Sequence, residues 1–181
     1  NTVQLKPKIE SLSRKRNKYN KFQMPKIKIE TIIDAPIDRV FDLARSIDLH
    51  TLSTKKTNEK AVAGKTSGFI EFGESVTWRA RHLGVYQKLS VKITEYDKPN
   101  MFKDVMLKGA FKSMSHKHSF KQIGNKTTMT DEFEFESPFG PIGKIANYLF
   151  LKNYMTKFLI EKNKELKKFA ENEKLYKLIL K

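Results

Sequence analysis

The sequence predicts an α+β fold in which a curved antiparallel sheet of about seven strands closes around one long C-terminal helix. Three observations carry that expectation. Residues 26–33 alternate polar and apolar side chains, the period of a half-buried strand. A string of short strand-like runs separated by turn residues fills 69–136. From Ile142 to about Glu171 nothing breaks a helix except Gly143 at its start. Segregated strands and helices of this kind form α+β folds rather than βαβ units.

The elements follow in order. Lys26–Ile33 is the first strand, and Asp34-Ala35-Pro36 ends it. Asp34 is suited to cap a following helix, and Pro36 is tolerated in a first helical turn. Ile37, Val40, Phe41 and Ala44 then recur at helical spacing, and a second short helix or turn is expected over 46–53. Strands are expected at 69–72, 75–82, 88–96, 101–108, 112–121 and 127–136. Gly84, Lys98-Pro99-Asn100, Gly109 and Gly124-Asn125 mark the turns between them. The last helix carries a broad apolar stripe that includes Ile145, Leu149, Phe150, Tyr154, Phe158, Leu159, Leu166 and Phe169. It is about eight turns and roughly 45 Å long. A sheet of this length must curl, and this helix is the element able to lie in its concave face. Such a grip leaves gaps that serve as ligand cavities.

Around this domain, read as residues 24–172, stand two basic segments. Residues 1–23 hold seven basic residues and one acid. Leu5, Ile9 and Leu12 fall at helical spacing there. The segment reads either as a poorly ordered extension or as a basic arm that touches an anionic surface. Residues 173–181 read as a basic tail that continues the helix or follows it.

Composition excludes several classes. With no cysteine, disulfides, thiol catalysis and cysteine-based zinc sites are out. Apolar runs are far shorter than the ~20 residues of a membrane span, and no secretory h-region is visible, so a cytoplasmic location is expected. The net charge of +16 suggests weak attraction to anionic membranes. Only six of the 36 basic residues are arginine, and no nucleic-acid-binding signature occurs, so specific nucleic-acid binding is not expected. No phosphate loop, dinucleotide fingerprint or nucleophile elbow is present, and no cofactor is expected.

Strand alternation selects the chemistry. His116 and His118 share one face with Met114 and Phe120, and that company places them on the concave side. On the next strand Met129, Asp131, Phe133 and Phe135 share a face, opposite Glu132, Glu134 and Glu136. With Gly124-Asn125 at the hairpin tip, His118 falls across from Asp131. Such a pair either orients a general acid or base, with His118 and Asp131 as candidate catalytic residues, or is a satisfied polar group in a core. Asp104 alternates with Phe102 and Met106 and is also a candidate for the inner face. Two histidines with Asp131 and Asp104 offer ligands for zinc or iron, but His-x-His is common by chance and no fourth ligand is indicated, so no metal is expected. Trp78 is placed inside, because burying Arg79 and Arg81 unpaired would cost too much. From the last helix, Ile145 and Leu149 complete the expected pocket wall.

The ordered words of the chain resemble the START/SRPBCC superfamily, the helix-grip fold of polyketide cyclase/dehydrase-like ligand-binding proteins. Asp34-Ala35-Pro36-Ile37-Asp38-Arg39-Val40-Phe41 is similar to its opening. Ile93-Thr94-Glu95-Tyr96, Pro99, Phe102, Asp104, Lys108-Gly109, Phe111, His116-Lys117-His118, Phe120, Thr130-Asp131 and Pro138-Phe139-Gly140-Pro141-Ile142-Gly143 resemble one bacterial subgroup. The resemblance spans residues 26–170. Relatives often carry Trp at Met114, Gln at Met106 and Pro at Ala110, and the first two changes imply a softer, less polar pocket wall. The expected function is binding of a small hydrophobic or amphipathic molecule, such as a lipid, polyketide, isoprenoid or aromatic metabolite. The alternatives are a cyclase or dehydratase using His118 with Asp131, and peripheral association with an anionic membrane or nucleic acid through the basic arm.

Overall fold

The computed structural model describes the backbone of residues 25–137 and 141–180 and the side chains of 25–137 and 150–180. The N-terminal segment 1–23, Ile145 and Leu149 lie outside the residues whose side chains are described. Seven strands form one antiparallel sheet: β1 (Lys26–Ile33), β2 (Lys60–Gly64), β3 (Ser75–His82), β4 (Val85–Asp97), β5 (Met101–Lys108), β6 (Ser113–Ile123) and β7 (Lys126–Glu136). Their spatial order is β1-β7-β6-β5-β4-β3-β2. The helices are α1 (Ile37–Ala44), α2 (Ile47–Ser53), α3 (Pro141–Ala170) and α4 (Glu173–Ile179), with a 3₁₀ turn at Lys55–Thr57. This is the helix-grip α+β architecture.

Alternation decides the two faces of the sheet. On β6, Met114, His116, His118 and Phe120 are buried, and on β7 Thr127, Met129, Asp131, Phe133 and Phe135 are buried. The intervening side chains reach solvent, where Lys26 pairs with Glu132 and Glu134. One end of the concave face is packed solid. There Phe41 of α1 meets Tyr96, Phe102 and Phe120 edge-on at centroid distances of 5.4, 5.6 and 5.4 Å. Edge-to-face pairs of this kind add attraction beyond their buried area.

Several details depart from the expectations. Residues 69–72 are not a strand. Phe69 makes an isolated bridge to Ser46, Ile70 reaches the core, and Phe72 is exposed. The seventh strand is β2 instead, a short edge strand that pairs with β3 through a bulge between Ala61 and Ala63. Its Ala- and Gly-rich residues carry little strand signal of their own, and pairing to β3 supplies what propensity lacks. Gly64 ends it at φ +71°, with Ser75 O where a Cβ would sit. Asp34 does not cap α1. Pro36 is the N-cap residue and contributes no side-chain bond. Instead the Gln122 Oε1 accepts from Ile37 N–H at 3.0 Å, so the cap comes from β6. Residues 173–179 do not prolong α3. Asn172 interrupts the helix and caps α4 by accepting from the Lys174 and Leu175 N–H groups.

Helix α3 packs on α1, α2 and β1. Leu159, Leu166 and Ala170 bury its inner face, and Lys167 Nζ donates to Ile32 O at 2.8 Å. Between the solid end at Phe41 and the middle of α3, helix and sheet stay apart.

Candidate ligand cavity

That separation encloses a cavity of about 300 Å³. Its wall is mostly apolar: Val76, Trp78, Ala80, Leu89, Val91 and Ile93 from β3 and β4, Phe102, Met114 and Phe133 from β5 to β7, and Leu151, Met155, Phe158 and Leu159 from α3. The polar groups in the wall are few, and they include all four histidines of the chain, His50, His82, His116 and His118.

The first polar group centres on Asp131, which is 1% exposed. The register sets His118 directly across from Asp131, His116 across from Phe133, and Phe102 across from His118. Asp131 Oδ1 lies 2.9 Å from His116 Nε2 and 2.8 Å from His118 Nδ1. A carboxylate only accepts, so the His116 proton must sit on Nε2. The His118 contact is close but off the line of a hydrogen bond, and Nδ1 has no hydrogen-bond partner. Asp131 Oδ2 accepts from Asn163 Nδ2 of α3 at 2.6 Å, and the same Nδ2 lies 3.2 Å from Thr31 Oγ1. Burial alone would raise the Asp131 carboxyl. The bond from His116 and the closeness of His118 outweigh it and hold the carboxyl well below its usual range. Burial pushes both imidazoles below their usual range, more than Asp131 lifts them. The group is therefore an ionised carboxylate behind two neutral imidazoles. Asp104, mostly covered, faces His118 Nε2 at 3.9 Å, and burial raises its carboxyl.

The second polar group comes from α2, β3 and the segment before β2. His50 stacks on Trp78 at 3.9 Å between centroids and lies 2.9 Å from Glu59 Oε2 through its Nε2. Burial lowers His50. It would raise Glu59, but His50 beside it brings that carboxyl below its usual range. His82 Nδ1 is 2.8 Å from the Tyr154 hydroxyl. Lys162 of α3 also lines the cavity.

Against these positions the expected site residues divide. Trp78, Phe102, Asp104, Met114, His116, His118 and Phe133 line the cavity. Asp131 stands behind the two histidines rather than in the wall. Met129 does not reach the cavity: it sits opposite Phe120 at the packed end and is 1% exposed. Met106 is not in the wall either; it lies against the turn at Gly109, where its Sδ occupies the place a Cβ would take. His50, Glu59, His82, Tyr154 and Lys162 were not expected. For His82 the signal was present, since it continues the inward alternation Trp78, Ala80, His82. His50 follows Ile47 by three residues on one helix face. Glu59 follows a left-handed Asn58 in a loop, and no periodicity marks it.

A family model described as polyketide cyclase / dehydrase and lipid transport matches residues 24–171. The chain belongs to this family. Within the START/SRPBCC superfamily its fold is shared by the TTHA0849 protein of Thermus thermophilus, at a TM-score of 0.67 and 20% identity over 81% of this chain and 97% of that one. An aromatase/cyclase from Streptomyces sp. R1128 gives a TM-score of 0.67 at 11% identity, covering 82% and 94%. A START superfamily protein from Mycobacterium smegmatis gives 0.63 at 11%, covering 81% and 97%. A comparison with curated protein sequences gives no match. Among the described residues no helix is long and apolar enough to cross a membrane.

Proposed function

We propose that this family member binds one small amphipathic molecule in the cavity between sheet and α3. Its apolar body would lie against Trp78, Val91, Met114 and Phe158, and its polar end would meet His116 and His118. One observation carries the reading: an apolar chamber of about 300 Å³ into which only a few oriented polar groups point. That combination is the usual anatomy of a small-molecule site. The volume is at the small end of such sites, which favours a compact ring system or short chain over a long diacyl lipid.

Incubating the protein with a lipid and metabolite extract, then native mass spectrometry, tests this. A retained mass of one small molecule per chain is expected, and it should be lost in Ala80→Phe, which fills the chamber from β3. Absence of any retained ligand, together with no uptake of apolar fluorescent probes, would overturn it.

A second reading rests on the contact of His118 with Asp131. A neutral imidazole in a chamber wall, held from behind by an ionised carboxylate, is equipped to take a proton from a bound substrate. A cyclase or dehydratase reaction would use His118 as the proton-transfer group and Asp131 as its positioning residue. Any turnover found with a captured ligand should fall by about 10²–10⁴-fold in His118→Gln if this holds.

A further inference from the structure

The geometry points to a metal site in the cavity wall: we propose that Asp104, His116 and His118 bind a divalent transition-metal ion of the zinc or iron(II) type, with Asp131 as the residue that positions both imidazoles. One ligand atom from each of the three lies within 4.8 Å of the other two. They sit on neighbouring strands with facing register, Asp104 opposite His116 and Phe102 opposite His118, so rigid ladders rather than loops hold them.

Asp131 is what distinguishes this cluster from a chance His-x-His. Histidines that hold a metal typically offer their other ring nitrogen to a carboxylate or carbonyl, which fixes tautomer and ring direction. Asp131 Oδ1 lies against one nitrogen of each ring, Nε2 of His116 and Nδ1 of His118. The nitrogen it leaves on His118, Nε2, is the one that faces Asp104. Asn163 fixes the other oxygen of Asp131 from α3. Thus Asp131, a potential ligand by sequence, is engaged as support, and Asp104 supplies the carboxylate ligand.

Bond lengths of about 2.0–2.2 Å place neighbouring ligand atoms roughly 3–3.5 Å apart. The 3.9 Å between His118 Nε2 and Asp104 Oδ1 therefore closes by about half an ångström on binding. Two imidazoles and one carboxylate suit zinc or iron(II). Three protein ligands leave further positions open, and Asp104, His116 and His118 all line the cavity, so a cavity ligand could coordinate there. The cavity also holds a second candidate pair, His50 with Glu59, which lacks a third ligand in reach among the described residues.

The test uses the full chain stripped with chelator and titrated with Zn²⁺ by calorimetry, with Co²⁺ absorption as a second readout. One equivalent should bind. Asp104→Asn and His118→Gln should weaken affinity at least ~100-fold, and Asp131→Asn about 10–100-fold. His50→Gln should leave it unchanged, and circular dichroism should show each variant folded. No uptake at about 100 μM zinc by folded protein would overturn the proposal. So would uptake that survives Asp104→Asn, or that is lost in His50→Gln. Apolar-probe binding is measured separately on the stripped protein. Probe binding without zinc uptake defeats the metal site alone, and zinc uptake without probe binding defeats the ligand chamber alone.

Discussion

Replacing Asn163 with Leu isolates the tie between α3 and the buried carboxylate. Asn163 is 4% exposed, and its Nδ2 stands 2.6 Å from Asp131 Oδ2. Leu is no smaller than Asn, so no cavity is created. What changes is that a buried, ionised oxygen loses its donor. A hydrogen bond to a charged group contributes about 1.5–3 kcal/mol. For a chain of this size each kcal/mol moves the midpoint by about 2–4 °C. The expected loss is therefore about 3–12 °C in Tm, read by circular dichroism near neutral pH. In an Asp131→Asn background the carboxylate charge is gone, and the same substitution should cost less than half as much. A Tm within about 1 °C of the parent, or an equal cost in both backgrounds, would refute the assignment.

Two further outcomes follow from the site and the sheet. Burial lowers all four histidines, His50, His82, His116 and His118. The unfolded chain takes up those protons near pH ~6.5 while the folded chain resists, so stability is full above about pH 7 and falls as pH drops through ~6.5. The lowered carboxyls of Glu59 and Asp131 extend the decline below about pH 4.5; a Tm series from about pH 8 to about pH 4 checks this, and a rise on acidification would contradict it. Gly64→Ala should destabilise by about 2–4 kcal/mol in urea, from a left-handed backbone plus a Cβ 2.2 Å from Ser75 O. Gly68→Ala, at the same φ of +71° with nothing within 4 Å, should cost about 1 kcal/mol, and equal losses would remove the clash from the account.

The strands that carry a two-residue period are legible because one face must be buried. The register of the β6–β7 hairpin follows from Gly124-Asn125 at its tip, and with it the apposition of His118 and Asp131. β2 is illegible because its Ala and Gly side chains say little, and an apolar run at Phe69 to Phe72 imitates a strand while serving as a loop anchored by Ile70. The cap on α1 is hidden because Gln122, which accepts from Ile37 N–H, lies 85 residues away. Pairwise tertiary contacts of that kind leave no local pattern. The same limit hides Asn163, an ordinary polar residue on a helix until β7 places a carboxylate beneath it, and Glu59, whose partner His50 sits on the preceding helix.

Strand β1 hydrogen-bonds only to β7, with Lys26 against Glu134 and Ile33 against Thr127. During synthesis the first strand therefore waits for about 100 residues before its mate emerges. Ordering so distant a pair costs loop-closure entropy before any contact repays it, which makes slow, late closure the expected course. A ribosomal product that stops short of Lys126 has an orphaned β1 edge and a chamber with no far wall. Such fragments are fit for aggregation or proteolysis, not for reduced activity, so premature stops anywhere upstream should behave as complete losses.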